Sequence, residues 1–269
     1  MKTTLSEQFV LITGATQGIG FELAKVFSEN NHPLILVARN DEKLKSVKKE
    51  ITNKYNVRVE YFTCDISNVV DIDSLIYKIQ SRDLTISILV NNAGVGYWGK
   101  FEEMNGKAQI EMLNLNIIGL THLCRLIIPE MKKRNSGKIM NVASIAAFTP
   151  NPYASTYAAS KAYVLSLSEA LNVELAGYGI TVSALCPPDV PSGFQKEAGY
   201  PEFVPSGVFS STASSVSTRA YKQFMKGKNV IRPWKPLAKL IFFLKEYSPR
   251  KFEINVGKNI VLSRINLED

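Results

Sequence analysis

Tyr157 and Lys161 are the residues of this sequence whose types and spacing most directly indicate proton-transfer chemistry. They lie four residues apart in the run STYAASKAYVLSLSEAL, so they share one face of a predicted helix. An ammonium group beside a phenol favours the phenolate, so we expect Lys161 to lower the pKa of Tyr157 from its reference of about 10. A phenol tuned in this way can exchange a proton with a carbonyl or alcohol oxygen.

Ser144 could act on the same oxygen. It lies thirteen residues before Tyr157, at the end of an apolar run. A hydroxyl aimed at the reacting oxygen holds that oxygen in place and stabilises developing negative charge. The Tyr-x-x-x-Lys spacing also occurs in many helices as a half-exposed tyrosine beside a solvated lysine. The chemical interpretation therefore depends on a second, independent signal in the chain.

That second signal is a glycine-rich turn near the N-terminus. The apolar run FVLIT (9–13) leads into TGATQGIG (13–20), and a segment with helical apolar spacing follows. A strand, a glycine turn and a helix form the context that a dinucleotide-binding fingerprint requires. Gly14 lets the chain turn off the strand, Gly18 lets the backbone approach a pyrophosphate, and Gly20 lets the helix pack close to the sheet. The N–H groups at the helix N-terminus then attract phosphate.

Short apolar runs alternate with amphipathic runs along most of the chain. This alternation indicates a parallel sheet covered by helices on both faces. We predict an α/β fold, a Rossmann-type doubly wound sheet of about seven strands, in the order 3-2-1-4-5-6 with a seventh near 229–232. The predicted strands are 9–13, 34–38, 57–63, 86–91, 138–143 and 180–186, and the main predicted helices are 41–55, 67–81, 106–134 and 157–177. Ligands of such folds bind at the carboxyl ends of the strands, where the motifs fall.

Taken in order along the chain, these motifs resemble the short-chain dehydrogenase/reductase family. The resemblance covers about residues 8–193 and rests on TGATQGIG, NNAG at 91–94, NIIG at 116–119, Ser144, the run from Tyr157 to Lys161, and a proline-containing segment at 187–192. It implies a single dinucleotide-binding and catalytic domain, 1–269. Within it we expect a substrate lid at about 188–218 and a basic C-terminal extension at about 227–269.

By this resemblance, four side chains form the catalytic set. Tyr157 is the general acid in reduction and the base in oxidation, and Ser144 positions the carbonyl oxygen. Lys161 holds the nicotinamide ribose and lowers the pKa of the tyrosine. Asn116 supports a water that links Lys161 to solvent, with packing inside a helix as the alternative role. The resemblance thus predicts hydride transfer that interconverts a ketone or aldehyde and its alcohol.

The end of the second strand indicates which nicotinamide cofactor to expect. NAD-binding folds of this type usually carry an acid there for the ribose 2′-hydroxyl, whereas the run LVARN places Ala38 and Arg39 at that point. An arginine can pair with a 2′-phosphate through two parallel hydrogen bonds. We therefore predict NADP(H) in preference to NAD(H), with a solvated surface charge as the alternative role of Arg39. Gln17 counts mildly against this choice, because many NADP-linked relatives carry a second basic residue there.

The resemblance also implies the other cofactor contacts. Asp65 and Ile66 match the adenine position, and Asn92 and Gly94 match contacts near the ribose. The alternative for the NNAG run is a turn after the fourth strand. The full predicted cofactor set is Gly14, Thr16, Gln17, Gly18, Ile19, Gly20, Arg39, Asp65, Ile66, Asn92, Gly94, Tyr157, Lys161, Val190 and Ser192.

The segment 187–192 departs from the family pattern. Pro188 stands in place of the usual glycine, which removes an N–H group and fixes φ. Ser192 can replace the hydroxyl of the usual threonine. Contacts to the nicotinamide are therefore expected near Val190 and Ser192, and a Pro188→Gly variant is expected to keep nearly full activity if the proline is merely tolerated.

Composition narrows the remaining classes. The 269 residues are 45% hydrophobic and 21% charged, which is enough for a substantial core. The three cysteines are widely spaced and lack a C-x-x-C pair, so we expect free thiols and a cytoplasmic location. With only two histidines beside these cysteines, no metal site is expected. No uninterrupted apolar run reaches the length of a membrane-spanning helix, and the N-terminus lacks the apolar segment of a signal peptide.

The net charge of +8 is concentrated at one end: residues 219–269 contain twelve basic and four acidic residues, and residues 1–218 contain twenty of each. Within 235–247, one helical apolar stripe is formed by Leu237, Leu240, Ile241 and Leu244. We expect this helix to pack against the domain or a partner subunit. The alternative is an interfacial helix on anionic lipid, with boundary residues Trp234, Phe242 and Phe243. Nucleic acid is not an expected partner, because the aromatic residues are clustered rather than interleaved with basic ones.

Two functional classes remain from the sequence. The first is an NADP(H)-dependent oxidoreductase acting on a small-molecule carbonyl or alcohol, with an apolar substrate if the C-terminal helix contacts lipid. The second is a non-catalytic NADP(H)-binding sensor or scaffold. The complete Ser-Tyr-Lys set favours the enzyme, because a sensor has no need for a proton donor. By the resemblance, a homo-dimer or homo-tetramer is expected.

Overall fold

A seven-stranded parallel sheet organises the chain. The computed structural model describes residues 8–191, 194, 207–245 and 248–262, and its strand order is β3-β2-β1-β4-β5-β6-β7. The strands are β1 Gln8–Thr13, β2 Leu34–Ala38, β3 Val59–Thr63, β4 Thr85–Asn91, β5 Gly137–Val142, β6 Ile180–Leu185 and β7 Val230–Ile231. All six neighbouring pairs are parallel. The predicted doubly wound fold is therefore confirmed, with its strand order.

Both faces of the sheet are covered, which is why its strands are nearly continuous apolar runs. Alternation along β1 shows the two layers. Phe9 and Leu11 pack in one core cluster, while Val10 and Ile12 pack in the other, because successive side chains of a strand point to opposite faces. Each strand therefore contributes to two cores at once and leaves its carboxyl end for the site.

The helices that cover these faces follow the predicted alternation. Their bounds are α1 Gly18–Glu29, α2 Asp41–Lys54, α3 Val69–Gln80, α4 Gly106–Leu113, α5 Leu120–Lys133, α6 Ser155–Leu175, α7 Ala213–Met225, α8 Pro236–Lys245 and α9 Arg250–Leu262. In α2, α3, α4 and α7 the N-cap side chain accepts a backbone N–H of the first turn. These N-cap residues are Asn40, Asn68, Asn105 and Thr212. Among the described residues, no side chain caps α1, the helix that follows the glycine turn.

The helical run 106–133 is interrupted by a π-helical segment, Asn114–Gly119, between α4 and α5. By length and composition the run is long and apolar enough to span a membrane, although polar residues such as Asn114, Asn116 and Arg125 interrupt it. In this fold α5 lies against the sheet and buries Leu123, Ile127 and Met131 in the core. The run therefore serves as a core helix of the domain.

The C-terminal helix α8 packs on the domain through a different face from the predicted one. Ala238 and Phe242 are buried with Trp234, whose indole N–H donates to the carbonyl of Cys186 at 2.7 Å. The stripe predicted from leucine spacing is exposed, with Leu237 55% accessible. The rings of Trp234 and Phe242 lie 4.7 Å apart and make the core contact in place of the leucine side chains. These two rings therefore cannot stand at a lipid boundary as the alternative required.

The predicted lid is described only at its two ends and at Phe194. Asp189 and Ser210 form a parallel bridge, in which the N–H of Asp189 donates to the carbonyl of Phe209 at 2.9 Å. The bridge ties the start of the segment to its end. Ser192, predicted to contact the cofactor, lies outside the described residues.

Candidate active site

The glycine turn after β1 is held by the loop after β4. The side-chain amide of Asn92 donates to the carbonyls of Thr13 at 2.9 Å and Gly14 at 3.1 Å. Gly14 has φ +65° and Gly18 has φ +56°, a left-handed conformation that favours glycine. A Cβ on Gly20 would collide with the carbonyl of Gly14 and the amide of Asn92. Close packing between turn, helix and loop therefore requires glycine at this position.

One cavity of about 940 Å³ runs across the carboxyl ends of the strands. It collects nearly all predicted site residues from distant parts of the chain: Gly14, Thr16, Gln17, Gly18, Ile19, Arg39, Asp65, Ile66, Asn92, Gly94, Ser144, Tyr157, Lys161 and Val190. Gly20 and Asn116 do not line it, because each lies behind a residue that does. This volume lies near the upper end of the range for small-molecule and cofactor sites.

The catalytic candidates meet where β5 and α6 approach each other. Tyr157 and Lys161 lie one turn apart near the start of α6, and the Lys161 ammonium is 5.8 Å from the centre of the tyrosine ring. The same ammonium donates to the carbonyl of Val142 at 3.0 Å. Ser144 follows β5, and its hydroxyl accepts the N–H of Ala146 at 3.0 Å. That bond fixes the serine at the start of a 3₁₀ turn, Ile145–Phe148.

Burial dominates the pKa values of this pair. Loss of solvation raises the pKa of Tyr157 to about 12, although a hydrogen bond from Ser144 lowers it in part and the charge of Asp189 raises it further. Burial also lowers the pKa of Lys161 to about 8. The expectation that Lys161 lowers the pKa of Tyr157 is not met in this structure. The ammonium is bound to a backbone carbonyl instead, so desolvation of the phenolate decides the direction.

Asn116 is buried and links the loop after β4 to helix α6. Its side chain accepts the N–H of Val95 at 3.1 Å and donates to the Val95 carbonyl at 2.9 Å. It also donates to the hydroxyl of Ser160 at 3.1 Å, which in turn donates to the carbonyl of Tyr157 at 2.7 Å. A Cβ on Gly94 would lie 3.1 Å from Asn116 and 3.2 Å from the Lys161 ammonium. The π-helical segment therefore places Asn116 and Lys161 on either side of Gly94. Segments of this kind are frequently found at functional sites.

The far end of the cavity carries two basic side chains. Arg39 follows β2, is exposed and lines the cavity. Lys43, in the first turn of α2, lines the cavity beside it and was missed by sequence reasoning. Its position four residues after Arg39 was the available signal. The nearby acid, Asp41, is bound to Lys45 at 2.8 Å and accepts the Thr63 hydroxyl at 3.1 Å.

Two aromatic side chains that the sequence analysis did not single out enclose the tyrosine. The ring of Trp98 lies 5.7 Å from that of Tyr157, and the ring of Phe194 lies 5.9 Å from it. The tryptophan and phenylalanine rings are 5.8 Å apart and nearly perpendicular. All three line the cavity, so the two rings add to the burial of the phenol, and burial raises its pKa.

Of the cysteines and histidines, Cys64 lines the cavity and the other four do not. Cys64, Cys124 and Cys186 are unpaired, buried thiols, which confirms the expectation of free cysteines. Within the described ranges, no group of three or more histidine, cysteine or acidic side chains could hold a metal ion. His32 contacts Tyr221 and His122 contacts Asp73, away from the cavity.

A doubly wound parallel sheet with a glycine turn after its first strand is the architecture of nucleotide-binding oxidoreductases. The short chain dehydrogenase family matches residues 8–201, and the chain belongs to this oxidoreductase family. A very-long-chain 3-oxoacyl-CoA reductase of Anas platyrhynchos is 34% identical over 185 residues, 66% of this chain and 58% of that protein. The match thus spans little more than half the length of that relative.

Two solved structures resemble almost the whole chain. A short-chain dehydrogenase from Sphingobium yanoikuyae, in complex with NADPH, has a TM-score of 0.79 and 28% identity and covers 97% of this chain and 98% of its own. A bulky-bulky ketone specific alcohol dehydrogenase from Comamonas testosteroni has a TM-score of 0.76 and 25% identity, with coverage of 97% and 96%. The likeness therefore extends past residue 201, where the family match ends, into α7–α9.

Proposed function

We propose that this protein is an NADP(H)-dependent oxidoreductase that interconverts a ketone or aldehyde and its alcohol. The observation that carries this proposal is the convergence of Ser144, Tyr157 and Lys161 on the cavity that also contains the glycine turn. A proton donor, an oxygen-binding hydroxyl and a dinucleotide-binding turn are the parts that carbonyl reduction needs. The names of the Anas and Comamonas proteins, a 3-oxoacyl reductase and a ketone-specific dehydrogenase, support a ketone substrate.

The residues present fit a bound dinucleotide. The first turn of α1 has no side-chain cap within the described part of the chain, so its N–H groups can donate hydrogen bonds to a pyrophosphate. Gly14 and Gly18 supply the left-handed backbone that brings the chain close to such a group. When bound, the nicotinamide would exchange a hydride with the substrate carbon.

The side chains of the protein would handle the substrate oxygen. With its pKa raised to about 12, Tyr157 stays protonated near neutral pH and can donate its proton to a carbonyl oxygen as negative charge develops there. Ser144 would donate a hydrogen bond to the same oxygen and hold it in place. Lys161, bound to the Val142 carbonyl, would orient the ribose, and Asn116 would keep the lysine and the Val95 loop in position.

The preference for NADP(H) follows from charge at the far end of the cavity. Arg39 and Lys43 both line it and could bind a 2′-phosphate. Asp41 is the nearest acid that could bind a ribose 2′-hydroxyl. Its carboxylate is already paired with Lys45 and accepts a hydrogen bond from Thr63. Many NADP-linked relatives carry a second basic residue at the position of Gln17. In this protein Lys43 would provide that second positive charge. The NADPH complex of the Sphingobium protein supports the same choice.

The decisive experiment is NADPH oxidation across carbonyls of graded size, with a Tyr157→Phe variant as the control. Loss of a general acid should lower kcat/KM by about 100-fold or more. NADPH affinity should stay within about threefold, because the ring remains in place. Equal turnover by the variant would remove Tyr157 from the chemistry. Tight NADPH binding with no turnover on any carbonyl would favour the sensor or scaffold.

Assembly and location complete the proposal. Exposed apolar side chains, including Ile110, Ile118 and Val173, lie on the α4–α5 run and on α6 and suit a contact between copies of the chain. We therefore propose a homo-dimer or homo-tetramer, which light scattering after size exclusion will test; a monomer at micromolar concentration rejects it. The three buried free thiols suit a cytoplasmic, reducing compartment.

A further inference from the structure

The cavity that holds Tyr157 continues beyond the catalytic residues into a cleft between α8 and α9. We call this the C-terminal cleft and define it by Ile241, Leu244, Phe252, Val256 and Ile260. All five side chains are apolar and exposed, and all five line the same cavity as Ser144. Apolar surface of this kind, continuous with a reaction site, indicates that the ligand has a large apolar part.

The apolar side chains of α8 fall into three sets, two of which reach the cavity. Ala238 and Phe242 are buried against the domain, and the ring of Phe242 also lines the cavity. Ile241 and Leu244 line the cavity, whereas three equally exposed residues do not: Leu237, Leu240 and Phe243. Leu244 and Leu240 are 60% and 54% exposed, so exposure alone does not distinguish them. What distinguishes them is the position of Leu244 on the wall of the catalytic cavity.

Helix α8, which forms one wall of the C-terminal cleft, is held against the 3₁₀ turn that follows Ser144. The Arg232 guanidinium lies 4.6 Å from the ring centre of Phe148 and 5.2 Å from that of Phe242. Phe148 ends the 3₁₀ turn that Ser144 begins, and Phe242 belongs to α8. The cation therefore joins the turn and the helix through two ring faces. This contact fixes the distance from the cleft to the oxygen-binding serine.

Helix α9 is held close to the same turn. A Cβ on Gly257 would lie 3.1 Å from the side-chain oxygen of Asn151. The amide of Asn151 donates to the carbonyl of Ala146, within the 3₁₀ turn, at 3.3 Å. Both sides of the C-terminal cleft are thus positioned by the segment after β5. A chain lying in the cleft would reach the catalytic hydroxyls with a carbonyl at its end.

We propose that the C-terminal cleft binds the apolar chain of the carbonyl substrate, which makes the substrate a long-chain aliphatic ketone or aldehyde. This inference rests on the proposed reductase function and adds its substrate class. Continuity with the catalytic cavity favours a substrate chain over a lipid surface or a second copy of the protein. Those two occupants would use the outward residues of α8 at least as much as the cleft residues.

The test compares two matched leucine variants, Leu244→Ser on the cleft and Leu240→Ser one turn away. Methyl ketones from butan-2-one to decan-2-one are reduced by each protein with NADPH in detergent-free buffer. Burial of each added methylene raises kcat/KM by up to about fourfold, so the decanone-to-butanone ratio in the wild type should reach about 100 or more. Leu244→Ser should lower this ratio at least about fivefold, and Leu240→Ser should leave it within about twofold.

A second pair repeats the comparison with aromatic residues. Phe252→Ser removes a ring from the cleft, and Phe243→Ser removes a similarly exposed ring that does not line the cavity. Only the first should lower the ratio. Binding of decan-2-ol by titration calorimetry provides a readout without turnover, with weaker binding expected for Leu244→Ser and Phe252→Ser only.

The outcomes separate the cleft from the proposed function. Absence of turnover on every ketone contradicts the reductase, and the calorimetric comparison then decides the cleft by itself. A wild-type ratio near one, or equal decan-2-ol binding by all variants, overturns the cleft. An equal effect of Leu240→Ser and Leu244→Ser overturns it as well; co-sedimentation with anionic vesicles or a change in oligomeric state would then identify the occupant of the whole α8 surface.

Discussion

Lys161 is a buried cation whose pKa of about 8 reflects the cost of removing its charge from water. Its ammonium donates a hydrogen bond to the carbonyl of Val142 at 3.0 Å. A free lysine side chain has a pKa near 10.4, so the folded protein binds this proton less tightly than the unfolded chain does. The charged form is therefore destabilising below pH 8, and stability associated with this group is present only above pH 10.5. Burial of this charge lowers the stability of the fold, so we infer that Lys161 has a functional role.

Lys161→Met should consequently abolish turnover but raise the free energy of unfolding at pH 7 by about 1–2 kcal/mol. The gain should shrink as pH rises from 8 to 10.5, where the wild-type lysine loses its charge in the unfolded chain too. Urea denaturation at several pH values measures both effects. Lys49→Met, on the exposed side of α2, should show neither effect. A loss of stability in Lys161→Met at pH 7 would mean that the bond to Val142 outweighs desolvation.

The proposed preference for NADP(H) depends on two single residues, Arg39 and Lys43. Arg39→Ala should raise the Kd for NADPH about 10- to 100-fold, because it removes charge-assisted hydrogen bonds to the 2′-phosphate. Lys43→Ala should raise it about five- to tenfold, since a lysine acts as a point charge. The affinity for NADH should change less than about twofold in both variants. Fluorescence titration with both cofactors measures this, with Lys49→Ala as an exposed control on the same helix; equal losses for NADPH and NADH contradict the assignment.

Among the secondary-structure elements, the π-helical segment Asn114–Gly119 contacts two separate parts of the cavity wall. It contains Asn116, which positions the Val95 loop, and Gly119, which lies against the backbone of Ile66. Ile66 lines the cavity after β3. The segment therefore fixes two parts of the cavity at the same time, one through an amide and one through the absence of a side chain.

Gly119→Ala should lower the free energy of unfolding by about 2 kcal/mol or more, because its Cβ would collide with the carbonyl oxygen of Ile66. It should also weaken NADPH binding by displacing that loop. Gly106→Ala, at the start of α4, meets no atom within 4 Å and should be neutral or stabilising by about 0.5–1 kcal/mol. Chemical denaturation and NADPH titration of the two variants test this. Equal stabilities and equal NADPH affinities of the two variants would mean that the loop after β3 adjusts to the added Cβ at little cost.

The whole molecule has a pH limit set by its buried thiols. Burial raises the pKa of Cys64, Cys124 and Cys186 from 9.0 to about 12. The unfolded chain loses these protons near pH 9 and the folded protein near pH 12, so the stability they contribute is complete below pH 9 and is lost as pH rises through 12. Lys161 acts in the opposite direction between pH 8 and 10.5, but three thiols outnumber it.

Stability should therefore fall above pH 9, with each thiol contributing up to about 1.4 kcal/mol per pH unit. Cys124→Ser replaces a thiol between Asn91 and Asn141 by a hydroxyl that does not ionise in this range. Its free energy of unfolding should fall less steeply from pH 9 to 11, by up to about 1.4 kcal/mol per unit. Urea denaturation of wild type and variant measures the slopes; identical slopes would mean that Cys124 ionises as readily in the folded protein.

Much of this molecule could be predicted from local patterns. The glycine turn, the seven strands in their order and the helix that carries Tyr157 and Lys161 all follow from spacing within short windows. Those patterns determined the fold because a parallel sheet admits few arrangements of alternating strands and helices. They also determined which residues converge, since the carboxyl ends of neighbouring strands meet at one edge.

The environment of those residues was decided only by the tertiary structure. Sequence spacing suggested the leucine stripe of α8 as its buried face, whereas Trp234 and Phe242 make the core contact with elements far away in the chain. Spacing likewise suggested that Lys161 would lower the pKa of Tyr157. Burial by Trp98 and Phe194 raised it instead. Burial and local charge depend on what packs against a residue from distant segments, and no periodicity within one segment records that.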